Sequence, residues 1–179
     1  MTAPASTFFI GIVPPPPFAA RVRAWQAKLN HDVPEPHVTL LAPAPVPEAR
    51  WHAVAALVAT RRTAAEVRLG GVERFGDRVI FLKVDAPELG ILHRDLVETL
   101  GEAPGEFALD KYHPHLTLAL SWRPMNSGWT EALKSAQAEF GFIDLAPLSF
   151  EARELVLFGK AAPGHPYTER QRFALGRAL

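Results

Sequence analysis

Two short runs, Pro36-His37-Val38-Thr39-Leu40-Leu41 and Pro114-His115-Leu116-Thr117-Leu118-Ala119-Leu120, constrain this chain more than any other feature. On a β-strand, residues i and i+2 point to the same face. Each run therefore presents an imidazole and a hydroxyl together on one face and apolar side chains on the other. The copies lie 78 residues apart (37 to 115), each preceded by a proline. A matched pair of this kind points to a duplicated unit that brings two histidines to one site.

The pattern around the two runs supports duplication. Phe8–Val13 reads as a strand, and Pro14–Pro17 as a turn. Phe18, Val22, Trp25 and Leu29 recur at helical spacing, and Pro34 and Pro36 close that segment before the first His-x-Thr strand. Pro47 suits the first turn of a second helix, continued by Trp51, Val54, Ala55 and Val58, and Glu66–Leu69 alternates as a strand. Gly76-Asp77 marks a hairpin between Val72–Phe75 and Val79–Val84. Leu89, Leu92, Leu96 and Leu100 form a helical stripe stopped by Gly101, and Trp129–Phe140 is helical. Phe142–Phe150, Leu155–Phe158 and Arg172–Leu175 read as strands.

Strand, helix, His-x-Thr strand, helix, strand thus occurs twice. The expected class is α+β: a bilobal, pseudo-two-fold duplicated unit, mostly antiparallel sheets lining a central cleft with helices outside. The chain reads as one domain of 1–179, with two intertwined lobes at approximately 1–75 and 76–179.

Composition narrows the chemistry. Nineteen Lys and Arg balance nineteen Asp and Glu, so no global positive field exists to hold a long polyanion. Cysteine is absent, which removes disulfides, thiolate zinc sites and a cysteine nucleophile. The apolar run at 8–13 is too short, and too soon broken by proline, for a signal peptide or membrane span. A cytoplasmic monomer with neither a membrane nor a protein partner is the expectation.

A phosphodiester placed between the two pairs would find a hydroxyl donor from each threonine. One neutral imidazole can take a proton from an attacking water while the other, protonated, gives one to the leaving oxygen. At these residues the chain resembles the 2H phosphoesterase superfamily, which includes the 2′-5′ RNA ligase-like proteins and RNA 2′,3′-cyclic phosphodiesterases. The likeness rests on Pro36-His37-Val38-Thr39-Leu40, on Tyr112-His113-Pro114-His115-Leu116-Thr117-Leu118-Ala119, and on the duplicated layout. It implies a cleft between two lobes, with His37 and His115 as the acid/base pair and Thr39 and Thr117 as phosphate ligands. It implies opening of 2′,3′-cyclic phosphates, at an RNA terminus or on a small cyclic nucleotide, to 2′-phosphates without metal or cofactor. The reverse chemistry, 2′-5′ ligation, and a non-catalytic nucleotide- or phosphate-binding module are the alternatives. In the ligase-like branch an arginine often follows the second motif closely; here Arg123 is the first to follow, after Ala119 and Leu120.

Other residues carry less. Tyr112 could stack on a base at the cleft rim or pack at a strand end. His113 and His115 could begin a zinc site, but no third ligand is evident. Lys160 could reach a phosphate from its loop. His31, His52, His93 and His165 have no motif around them and default to the surface. Phe8, Phe9, Phe81 and Trp51 are core candidates.

Overall fold

The computed structural model describes residues 6–176. The eight strands are β1 (Thr7–Ile12), β2 (Val38–Leu41), β3 (Ala65–Phe75), β4 (Val79–Asp85), β5 (His115–Leu120), β6 (Leu148–Ala152), β7 (Glu154–Lys160) and β8 (Thr168–Ala174). The helices are α1 (Pro16–Lys28), α2 (Glu48–Arg61), α3 (Pro87–Leu100), α4 (Trp129–Phe140) and the one-turn α5 (Phe142–Leu145). The strands join in one antiparallel sheet of order β6-β3-β4-β5-β2-β1-β7-β8. Instead of two separate sheets there is one, whose halves meet at β2–β5 through the pair Val38↔Leu116. The order is symmetric about that junction, with β4 matching β1, β3 matching β7 and β6 matching β8. The sheet curls strongly: β6 and β7 stand far apart in the order, yet Arg153 alone connects them.

The symmetry is not the linear repeat of the sequence. β3, which closes the first repeat in the chain, lies beside β4 in the second half, and β7 takes the matching place beside β1. A division of the chain near residue 75 is therefore not a division of the sheet. Phe142–Phe150, expected as a strand, instead divides into α5 and β6. The reason is at Gly71, where a Cβ would fall 2.0 Å from the Asp144 carboxylate. A bulge in β3 between Leu69 and Val72, together with that missing side chain, makes room for α5 to dock.

Alternation explains the two faces. Phe8, Ile10, Ile12, Val38, Leu40, Ile80, Leu82, Leu116 and Leu118 join helix residues such as Trp25, Trp51, Leu89 and Phe140 in one buried cluster. Phe9, Val156 and Phe158 form a separate small cluster on the opposite face. β1 is thus apolar on both sides, which is why 8–13 reads as a continuous apolar run. Helix ends follow local chemistry. α1 begins at Pro16 and stops at Lys28, short of the two prolines, where Asn30 turns left-handed at φ 51°. Pro47 is the N-cap of α2, one place before its first residue. Gly101, at φ 77°, ends α3 and donates its N–H to Val97. Among the described residues no helix is long and apolar enough to cross a membrane.

Two histidines expected at the surface are buried, each 4% exposed. His31 Nε2 accepts the Leu120 N–H (3.0 Å), and its Nδ1 lies 2.9 Å from the Pro124 carbonyl. His93 Nε2 accepts the Leu109 N–H (2.8 Å), and its Nδ1 lies 2.6 Å from the Leu40 carbonyl. A carbonyl only accepts, so in each ring Nδ1 carries the proton. His31 fastens the end of β5 and His93 the end of β2, where free backbone groups would otherwise be buried. Burial lowers the His93 pKa, although its bond to Leu40 opposes this.

His93→Ala should cost about 2–4 kcal/mol, from lost bonds and a residual cavity. Urea unfolding monitored by circular dichroism measures this as a lower midpoint. The His93 contribution is full above the unfolded-state pKa of about 6.5 and fades as pH falls below it, because the unfolded chain then binds the proton more readily. The gap between wild type and variant should therefore narrow on acidification.

Candidate active site

The β2–β5 junction brings the two motifs together. Continuing the antiparallel register by one residue either side of Val38↔Leu116 sets His37 beside Thr117 and Thr39 beside His115. Val38 and Leu116 point into the core, so the four polar side chains share the opposite face, all half-buried. Each histidine thus has one threonine along its own strand and another across the junction. The register places the two histidines on a diagonal, with backbones about 7–8 Å apart.

Both rings are oriented by the same device. His37 Nδ1 lies 2.6 Å from the Glu35 carbonyl, and His115 Nδ1 lies 2.8 Å from the His113 carbonyl. Each carbonyl belongs to the residue two before its histidine, across the preceding proline. Because a carbonyl cannot donate, Nδ1 is protonated in both rings and Nε2 is left as the reactive nitrogen.

Matching bulges lie beside the motifs. The β1–β2 register passes from Ile10↔Leu41 to Gly11↔Thr39, skipping Leu40, and the β4–β5 register passes from Ile80↔Ala119 to Phe81↔Thr117, skipping Leu118. The positions opposite the threonines differ, with Gly11 in one half and Phe81 in the other. At Gly11 a Cβ would come within 2.7 Å of the Val38 carbonyl oxygen and 3.6 Å of His37 Cδ2. The His37 ring lies over this glycine and reaches Phe9 (centroids 4.7 Å apart) and Phe158 (5.5 Å). His115 is flanked by Phe75 (5.1 Å) and Phe81 (5.3 Å).

These rings exclude water and disfavour the charged imidazolium. Burial draws the His37 pKa down to about 4; its bond to Glu35 opposes the shift and the nearby His115 adds to it. Burial also lowers His115, opposed by the His113 carbonyl and reinforced by the His113 side chain. That His115 is among the electrostatic neighbours of His37 fits the crosswise arrangement.

Tyr112 is placed for packing rather than for meeting a substrate. Its hydroxyl donates to the Thr39 carbonyl (2.8 Å), and its ring stacks on His93 at 4.0 Å. Burial raises its pKa. Tyr112 therefore braces the backbone of the first threonine. Arg123 is exposed in the turn after Leu120, at the end of β5 remote from His115. Lys160 ends β7 opposite Thr7, with Nζ 4.9 Å above the Tyr167 ring, and Tyr167 meets Phe9 edge-on. Among the described residues no three His, Cys, Asp or Glu side chains cluster to hold a metal ion.

A family model described as the 2′-5′ RNA ligase superfamily matches residues 14–162. The chain belongs to this 2H phosphoesterase superfamily. No curated protein sequence matches it significantly. Among solved structures, TT0787 of Thermus thermophilus is 24% identical with a TM-score of 0.68, covering 97% of this chain and 100% of that one. LigT of E. coli, solved with NADP+, is 21% identical with a TM-score of 0.61, covering 98% and 100%. A protein described as a phosphoesterase is 20% identical with a TM-score of 0.62, covering 98% and 100%. These likenesses establish a shared 2H fold over nearly the whole chain.

Sequence reading missed the supports of this 2H site. For His93 the signal was present: 89, 92, 93, 96, 97 and 100 form one helical stripe, and all six residues are buried. For Gly11, Phe75 and Phe158 no local signal existed, since their roles depend on pairing with distant strands.

Gly11→Ala should cost about 1–3 kcal/mol through overpacking against Val38. Displacement of His37 should lower kcat by about 10- to 10²-fold. Thermal unfolding together with turnover on a cyclic phosphate checks both; a variant with wild-type kcat would show that Gly11 does not position His37.

Proposed function

We propose that this protein is a cytoplasmic, monomeric, metal-independent phosphodiesterase that opens 2′,3′-cyclic phosphates to 2′-phosphates. The observation that carries the reading is the crosswise quartet, in which two imidazoles, each bonded through Nδ1 to a backbone carbonyl, share one face with Thr39 and Thr117. E. coli LigT has been solved with phosphate, with 3′-AMP and with ATP, and these phosphate-bearing ligands support a phosphate ester as the ligand of this chain. Zero formal charge favours a short substrate, an RNA terminus or a mononucleotide, over a long polyanion.

In this reading the cyclic phosphate sits between the histidines, and Thr39 and Thr117 donate to its non-bridging oxygens. His37, held neutral near pH 7, takes a proton from water at Nε2 as the water oxygen bonds to phosphorus. The P–O3′ bond breaks, and protonated His115 supplies a proton from Nε2 to the departing O3′. The products are a 2′-phosphate and a free 3′-hydroxyl, with atoms and charge balanced. With the 5′-hydroxyl of a second RNA end in place of the attacking water, the same groups would form a P–O5′ bond as P–O3′ breaks, leaving a 2′-5′ bond and a free 3′-hydroxyl.

The test is incubation with a set of 2′,3′-cyclic nucleotides, with 2′- and 3′-phosphate products resolved. Wild type should give 2′-phosphate alone, and His37→Ala or His115→Ala should each lose at least ~10²-fold in kcat. Either variant at full activity would exclude that residue as acid or base. Product from ligated ends but none from cyclic phosphates would favour ligation, and saturable binding without turnover would favour a binding module. Thr39→Val and Thr117→Val should each lose about 10- to 10²-fold, the worth of a hydrogen bond to a charged oxygen. EDTA should leave the rate unchanged.

The pH profile of kcat/KM should be bell-shaped. Its acid limb, set by His37, falls near pH 4. Its alkaline limb, set by loss of the proton from His115, falls below the ordinary histidine value of about 6.5 because burial lowers that pKa. In kcat both limbs should move upward, since bound phosphate favours both imidazoliums. A rate independent of pH from 4 to 8 would rule out the acid/base pair.

A further inference from the structure

The pseudo-two-fold axis allows the two flanks of the cleft to be compared position by position. Counted from the matched bulges, Phe158, which pairs with Phe9, corresponds to Phe75, which pairs with Val79. Both touch the motif histidine of their own half. Their surroundings differ sharply. Phe158 is 1% exposed, whereas Phe75 is 38% exposed.

The cause is topological. β8 runs beside Phe158 through the pair Phe158↔Glu169, and the β7–β8 loop returns Tyr167 over that cluster. In the other half β6 pairs with β3 only from Ala65 to Leu69, so among the described residues the Val72–Phe75 end of β3 has no outer strand. The chain then turns tightly at Gly76-Asp77 and supplies no ring in place of Tyr167. Phe75 stacks on Phe81 (4.1 Å, planes 28° apart), and its flank stays open to solvent. The His113 ring, also exposed, stands nearly perpendicular to Phe75 at 5.3 Å. Next to them is a hollow of about 290 Å³ whose walls include Arg68, Glu73, Lys83, His113 and Pro147. Lys83 is the register partner of His115, so this hollow adjoins the reacting centre.

We infer that Phe75, with His113, is the platform for the substrate's nucleobase, on a flank that the loop after β3 leaves uncovered. This rests on the cyclic-phosphate reading of the site and extends it: the nucleoside lies on the His115 flank. A bare aromatic surface accepts any base through its π face, so the platform gives base dependence without strong base selectivity. His113 contributes a second ring edge to the contact.

Two substrates of the same reactivity test this: a 2′,3′-cyclic nucleotide, and the 2,3-cyclic phosphate of 1-O-methyl ribose, which has no base. The readout is the ratio of their kcat/KM values, which cancels any general loosening of His115. Phe75→Ala should lower the ratio about 10-fold or more, chiefly through KM for the nucleotide, and Phe75→Trp should restore it. If Phe75→Ala fails to fold, Phe75→Leu, which keeps apolar bulk on Phe81 but has no π face, is read instead. Wild-type turnover with an unmoved ratio overturns the platform and leaves the reaction standing. Calorimetric titration with 2′-AMP and with 1-O-methyl ribose 2-phosphate covers the opposite case. If no cyclic phosphate is opened, yet 2′-AMP binds wild type about 10-fold more tightly than the variant while the sugar phosphate does not, the platform stands and the reaction falls. Equal binding of 2′-AMP to both proteins overturns the platform, and neither binding nor turnover overturns both.

Discussion

Everything at the cleft depends on the junction of β2 and β5. A single register pair, Val38↔Leu116, joins the strands of the two half-sheets. Because the side-chain period of a strand is two, this one pairing sets which residues share the open face. A shift by one residue would turn both histidines and both threonines into the core and bring Val38 and Leu116 out. The burial of those two residues and the assembly of the quartet are the same event. The hydrophobic effect therefore enforces the register that assembles the quartet.

A junction this narrow needs support, and the support is polar and local. His93 and Tyr112 hold the backbone of β2 at Leu40 and Thr39, and His31 holds β5 at Leu120. These side chains bond to the backbone and so fix the strands that carry the quartet. The motif histidines are treated alike by the carbonyls behind them, so each exposes the same nitrogen. Yet the flanks diverge: one is sealed by Phe9, Phe158 and Tyr167, the other left partly open at Phe75. Duplication supplied two equivalent reactive groups, and divergence of the outer strands gave them different surroundings.

Much of the secondary structure was readable because it rests on local rules. Apolar spacing at 18, 22, 25 and 29 and at 89, 92, 96 and 100, proline at helix starts and Gly101 at a helix end are all local devices, and the helices lie there. The reading failed where a distant element decided the outcome. Phe142–Leu145 is helical because Gly71, some seventy residues earlier, leaves space for Asp144. His31 and His93 are buried because backbone groups of other elements require partners, and in the single case of His93 the helical stripe gave warning.

The sequence by itself determined the two His-x-Thr strands, their sidedness, the duplication and the type of proton chemistry available, since all of these follow from residue identity and a period of two. Only the tertiary structure decided that β3 and β7 exchange places between the halves, that Gly11 gives His37 its resting place, and that Phe75 faces solvent while Phe158 does not. Those outcomes depend on which strands become neighbours. Strand pairing is settled by the burial of the whole sheet at once, and no local window of sequence contains that information.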